Sequence, residues 1–158
     1  MVRSIAIVGG SSDIAKSTIS SMSADNYKFH VLVRDDSHTD ELSASGVSVV
    51  LGDATSEEDI KNFISGVKES GEIHAILHCV GSFAVRPPHA MNKEAFETVI
   101  STNLTSAFLT LSIAGKAMLS QGHGRMVFMS SVAGSLGLVN HEAISAAKGG
   151  IESMVRSA

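Results

Sequence analysis

The stretch Gly9-Gly10-Ser11-Ser12-Asp13-Ile14-Ala15 runs straight out of an apolar segment and into a helical pattern. Backbone N–H groups at such a helix start lack partners and point along the helix dipole, which makes the position a seat for phosphate. Glycine after a buried strand also makes turns that hold no ligand, so the loop by itself leaves the question open. Further along the chain, Lys148 follows Ile144 by four residues in a second helical pattern, so the two share one face. If that lysine serves a catalytic helix, an isoleucine stands where its chemical partner belongs.

Several near-motifs compete for these residues. Gly10-x-x-x-x-Ala15-Lys16-Ser17 misses the phosphate-binding P-loop pattern by one glycine, whose missing Cβ is what lets the backbone wrap around phosphate; Lys16 and Ser17 would be the phosphate and magnesium groups. Ser145-x-x-Lys148 copies the spacing of a serine nucleophile and its lysine, but neither SDN nor KTG follows, and chance spacing is the better account. His74 and His78 would point to one face of a strand with Cys79 on the other, and no third ligand is evident, so no metal site is expected. Asp53 lies after the third apolar run, where a phosphoacceptor aspartate could stand, yet glycines occupy the place after the first run where the acidic pair of such a site is needed.

The elements that must position these groups are legible as alternation. Short runs rich in Val and Ile recur at Ser4 to Val8, Phe29 to Val33, Val47 to Leu51, Ile73 to Cys79 and Met126 to Met129, and predict buried strands. Between them lie helical patterns. The clearest covers residues 56 to 69, where Ile60, Phe63, Ile64 and Val67 recur at helical spacing after a Thr55-x-x-Glu58 capping box. A longer helical region spans about Asn92 to Ser120, as one or two helices, and Pro87-Pro88 marks a loop before it. Strand and helix alternating in this way imply right-handed crossovers and a parallel sheet covered on both faces, an α/β fold. Ligands of such sheets bind beyond the carboxyl ends of the strands, where the loops after Val8, Val33, Leu51, Cys79 and Met129 gather.

Composition bounds the function classes. The chain of 158 residues suits one domain, and with 44% hydrophobic and only 18% charged residues it is not disordered. Twelve basic residues against sixteen acidic ones give a net charge of −4 with no basic run, which argues against nucleic acid as a partner. The single cysteine, Cys79, excludes an internal disulfide. No stretch approaches the ~18 apolar residues of a membrane span, so a cytoplasmic protein is the expectation.

Taken together, the loops resemble those of the short-chain dehydrogenase/reductase family, in order and over nearly the whole chain. IVGGSSDIA stands where that family has its GxxxGxG loop, GDAT places Asp53 where an aspartate contacts adenine, and HCVG at 78 to 81 stands for NNAG. NLTSAF puts Asn103 at the family's asparagine, MSSVAG puts Ser131 at its catalytic serine, and Lys148 falls at its lysine. The resemblance implies a Rossmann-like doubly wound sheet of strand order 3-2-1-4-5, forming a single dinucleotide-binding domain over 1–158. It implies hydride transfer between a nicotinamide cofactor and a carbonyl or alcohol, with Ser131, Lys148 and Asn103 as the catalytic set. Gly9, Ser11, Ser12, Asp13 and Ile14 would meet the cofactor from the first loop. Arg34, Asp53, Ala54, Val80, Gly81 and Lys148 would meet it from the others. A homodimer or homotetramer, joined through the helices at about 103 to 120 and 141 to 158, is implied too.

The departures from the family pattern are specific. The tyrosine position, 13 residues beyond Ser131, holds Ile144, which cannot pass a proton, and the chain's only tyrosine is Tyr27. His141 and Glu142 lie just upstream and could donate a proton, although solvated or capping roles explain them more simply. Asp13 and Ala15 replace the second and third glycines, and the Asp13 carboxylate either turns away to serve the helix start or repels pyrophosphate. At the end of the second run Val33 replaces the acidic residue that selects NAD, and Arg34 follows it, able to pair with a 2′-phosphate; NADP(H) is therefore expected over NAD(H), unless Asp35 and Asp36 neutralise the arginine.

The last helix pattern reaches Ala158 with no glycine cap or following proline, and only five strands are present where the family has seven. The expectation is a fragment or truncation, with the substrate lobe missing. Two other functions stay open: a cofactor-binding sensor or interaction protein that has lost catalysis, which Ile144 favours, and the P-loop reading.

Overall fold

The computed structural model describes residues 2–22 and 26–158. Five strands, β1 (Arg3–Val8), β2 (Tyr27–Val33), β3 (Ser48–Leu51), β4 (Ile73–His78) and β5 (Met126–Phe128), form one sheet in the order β3-β2-β1-β4-β5. Every pairing is parallel. Both faces of the sheet are apolar because successive side chains alternate between them. Ala6 and Val8 of β1 pack with Leu32, Ile73 and Ile76 on one side, while Ile5 and Ile7 pack with Phe29, Val31 and Val33 on the other.

Helices cover each face. On the first, α3 (Glu57–Glu69) contributes Ile60, Phe63, Ile64 and Val67, and α5 (Ser106–Gln121) contributes Ala114 and Met118. The second is covered by Ala15 of α1 (Asp13–Ser21) and Leu42 of α2 (Thr39–Ala44). α4 (Lys93–Ile100), a short α6 (Val132–Leu136) and α7 (Glu142–Ser157) flank the β4–β5 end, where Val99, Ala133, Ala143 and Ile144 form a third apolar cluster.

The expected strands differ from the observed ones only at their ends: β1 begins at Arg3, β2 at Tyr27, β3 at Ser48, and β4 and β5 each stop one residue early. The α3 cap moves by one position. Ser56, not Thr55, accepts from the Asp59 N–H, because Thr55 is bonded to Asp53 instead. Helices α2 and α6 carry too few buried residues, one each, to write a period into six or five positions.

The long helical region is two helices joined by a π-turn over Ser101–Thr105. Asn103 causes the widening: its side-chain amide donates to the Val99 carbonyl at 2.9 Å, the acceptor that its own backbone N–H would take in a regular helix. Taken as one run, Lys93–Gln121 is 29 residues long and holds an 18-residue window of mean hydropathy 1.2, long and apolar enough by length and composition alone to cross a membrane, which corrects the expectation that no such stretch exists. A third of that window is buried inside the fold, where Ala107, Thr110 and Ala114 are fully buried.

Candidate functional site

The loops beyond the carboxyl ends of β1 to β4 enclose a cleft of about 500 Å³. Gly9, Ser11 and Ser12 form one wall, Arg34, Asp53 and Ala54 another, and Val80 and Gly81 the floor. These eight expected cofactor contacts are thus brought together from four loops. Gly9 is held at φ +89°, and a Cβ there would lie 2.9 Å from the Val80 nitrogen. Glycine is required on both grounds, conformation and space, and the result is a backbone-lined hollow at the start of α1. That hollow is the cradle a diphosphate needs, so the residues present fit a dinucleotide.

The start of α1 also accounts for Asp13. Ser12 is the cap, its hydroxyl accepting from the Ala15 N–H at 3.2 Å, and Asp13 is the first helical residue, where the dipole favours a carboxylate. Asp13 and Ile14 are exposed and line a shallow depression on the outer side of α1 with Ser17, Thr18 and Ser21, not the cleft. Only their backbone N–H groups belong to the helix start. Lys16 is turned to α2, with its Nζ 2.9 Å from Glu41 Oε2 and 3.2 Å from His38 Nδ1, which removes the cation that a P-loop would aim at phosphate.

On the opposite wall Asp53 accepts from the Thr55 N–H and hydroxyl, both at 2.7 Å, and these bonds hold its carboxyl below the ordinary range. Among the described residues no carboxylate is paired with Arg34, since Asp35 is occupied by Ser37. The guanidinium is exposed at the cleft edge.

Lys148, Ser131 and Asn103 do not line the cleft itself; they lie on α7, before α6 and in the π-turn. The apolar stripe of α7 buries Ala143, Ile144, Ala147, Lys148 and Ile151 together, so Lys148 is 7% exposed, and burial pushes its ammonium below the ordinary value. Its Nζ donates to the Met129 carbonyl at 2.9 Å. Ser131 follows two residues later and caps α6, its Oγ accepting from the Ala133 N–H at 3.2 Å, which leaves its O–H free to donate. A Cβ at Gly81 would stand 3.2 Å from Asn103 Oδ1 and 3.7 Å from Lys148 Nζ, so Gly81 marks where these two meet.

Asn103 is fully engaged: its Nδ2 donates to Ser82 Oγ and Val99 O, and its Oδ1 accepts from the Ser82 N–H. It pins the π-turn to the loop after β4. His78, beneath it, is also fully buried. Ser106 gives its proton to the Thr102 carbonyl, so it accepts from His78 Nε2 at 3.0 Å, and His78 Nδ1 has no partner among the described residues. Burial first, and the Lys148 charge second, lower the His78 pKa to about 4, so the ring is neutral.

Ile144 is 4% exposed and packs against Val99, Ala133 and Ala143. Nearby, His141 Nδ1 donates to the Val139 carbonyl at 2.8 Å and its ring meets Phe83 edge-on at 5.7 Å. Phe83 and Val139 beside it, and Leu136 at the end of α6, are exposed and apolar. Thr98, Ser101 and Thr102, which line the cleft from α4 and the π-turn, carry no signal in the sequence, because their position depends on the π-turn. Ser82, adjacent to the HCVG stretch, is the one residue that a closer reading of the loop could have reached.

The sequence model of the family described as short chain dehydrogenase matches residues 3–158. The 3-oxoacyl-(acyl-carrier-protein) reductase MabA of Mycobacterium tuberculosis is 31% identical over 98% of this chain and 61% of its own length. A tropinone reductase homolog of Arabidopsis thaliana is 26% identical over 96% and 59%. The chain therefore spans about three-fifths of the length of the curated relatives it matches. Among solved structures, levodione reductase superposes with a TM-score of 0.91 at 24% identity over 98% of this chain and 64% of its own, and a variant actinorhodin polyketide ketoreductase solved with NADPH gives 0.90 at 24% over 99% and 63%. At that identity these two structures speak to the fold.

Proposed function

The chain belongs to the short-chain dehydrogenase family, and from that premise we propose that it is an NADP(H)-linked oxidoreductase acting on a small carbonyl or alcohol substrate. The observation that carries this reading is the cleft itself, with the Gly9 hollow at one end, unpaired Arg34 at its edge and buried Lys148 near Gly81. In this reading the backbone around Gly9 and the first turn of α1 hold the pyrophosphate, and Arg34 holds the 2′-phosphate as a charge-assisted pair. Asp53 meets the adenine and Lys148 the nicotinamide ribose. When bound, the dinucleotide supplies or accepts the hydride. Ser131 donates its free O–H to the substrate oxygen, and the exposed apolar residues Phe83, Leu136 and Val139 offer the substrate a surface. The name of the mycobacterial relative, a 3-oxoacyl reductase, supports a carbonyl substrate, and the cofactor choice rests on Arg34. A cytoplasmic homodimer or homotetramer joined through α5 and α7 belongs to the same reading; exposed Phe108 and Leu119 of α5 support the contact.

A second reading is favoured by Ile144. With an alkyl group packed at the position of the proton donor, the protein would bind nucleotide and signal its state without turnover. Titration of NADPH and NADH into the protein and its Arg34→Ala variant tests the nucleotide site. NADPH affinity falling about tenfold or more in Arg34→Ala, with NADH unchanged, is expected, as loss of a charged hydrogen bond implies. No binding of either nucleotide refutes both readings, and binding without reduction of any carbonyl compound in a broad panel favours the second.

A further inference from the structure

The segment that carries Ser131 is held from α7 by two side chains one turn apart. Lys148 takes the Met129 carbonyl. Glu152, four residues later on the same face, accepts through Oε1 alone from Ser130 Oγ and Ser135 Oγ, each at 2.6 Å. That length is typical of a hydroxyl bonded to an ionised carboxylate, among the stronger hydrogen bonds a protein makes. One oxygen therefore ties the residue just before Ser131 to the end of the helix that Ser131 caps. The two helices are already close, since a Cβ on Gly134 would lie 2.8 Å from the Gly149 nitrogen. Arg156, the other charge near the carboxylate, stands 4.0 Å from its second oxygen and is largely exposed.

The backbone at Ser131 converts this tie into a direction. With φ −154° and ψ 149° the chain is extended there, and adjacent side chains of an extended chain leave on opposite sides. Anchoring Ser130 on Glu152 turns Ser131 the other way. We propose that Glu152 is a positioning residue that fixes the orientation of the Ser131 hydroxyl. The proposal rests on the reading of Ser131 as the group that meets the substrate oxygen.

The test uses the full chain with Glu152→Ala and Glu152→Gln, together with Ser135→Ala, which removes one of the two bonds without touching α7. Amide exchange over residues 130–136 is measured beside NADPH binding and the steady-state rate of carbonyl reduction. Glutamine keeps an oxygen that can accept both hydroxyls, so it should rescue. Glu152→Ala is expected to speed exchange in this segment about tenfold and Ser135→Ala less, about threefold, with exchange in β1 unchanged. The rate kcat should fall about tenfold in Glu152→Ala while NADPH affinity stays within about twofold. Exchange that is the same in all four proteins overturns the proposal, as does a glutamine variant that behaves like alanine. If the wild type binds NADPH and reduces nothing, the enzymatic reading fails while the exchange comparison still decides whether Glu152 holds the segment.

Discussion

His78 offers a quantitative test of how the core supports the site. Its ring is fully buried, gives one nitrogen to Ser106, and is held neutral with a pKa of about 4 against an ordinary 6.5. In the unfolded chain the same ring takes up a proton below about pH 6.5, while the folded protein does not until about pH 4. The unfolded state binds more protons in that window, so stability falls as the pH is lowered through it. The gap, at about 1.4 kcal/mol per pH unit, amounts to about 3 kcal/mol in full. Between pH 7 and pH 5 about 2 kcal/mol of it is lost. Urea unfolding of the wild type and of His78→Asn at both pH values isolates this contribution, because other histidines titrate alike in the two proteins. The wild type should lose about 2 kcal/mol more than the variant on acidification. Parallel losses in the two proteins would refute the reasoning and place a water or a charge beside Nδ1.

Gly9→Ala should lower stability by about 1–3 kcal/mol and abolish nucleotide binding, since the positive φ and the contact with the Val80 backbone both resist a methyl group; thermal unfolding and an NADPH titration check the two effects. Ile144→Tyr introduces a ring into a packed cluster and should cost about 1–3 kcal/mol of stability, read by urea unfolding. If Ser131 and Lys148 retain the arrangement of an active site, the same variant should raise carbonyl reduction about a hundredfold or more, as a general acid does; a stable Ile144→Tyr protein with no gain in rate would show that the arrangement itself is not competent.

The fold was legible because its signals are local. Val- and Ile-rich runs such as Ser4 to Val8 can be buried on both faces only in a covered parallel sheet, and Ile60, Phe63, Ile64 and Val67 declare their helix by spacing alone. Strand order was implied by the family resemblance, and the gathering of Gly9, Arg34, Asp53 and Gly81 in one cleft agrees with the rule that ligands bind at the strands' carboxyl ends. Sequence also settled that Ile144 holds the tyrosine position, and no arrangement of the chain can give it a proton.

Direction and partnership were decided by tertiary structure. Asp13 reads as a threat to phosphate in the sequence, yet it is exposed on the outer side of α1 because Ser12 had already taken the cap. Lys16 fits a phosphate loop by spacing and is spent on Glu41 and His38. Asn103 belongs to the catalytic set by resemblance, and packing commits its side chain to widening the helix and holding Ser82. Glu152 carries no motif, and its grip on Ser130 and Ser135 exists only because a second helix brings α7 against the loop after β5. A side chain's type and spacing are properties of the chain. Which neighbour takes its hydrogen bonds is settled among groups distant in sequence, and only packing brings those groups within reach.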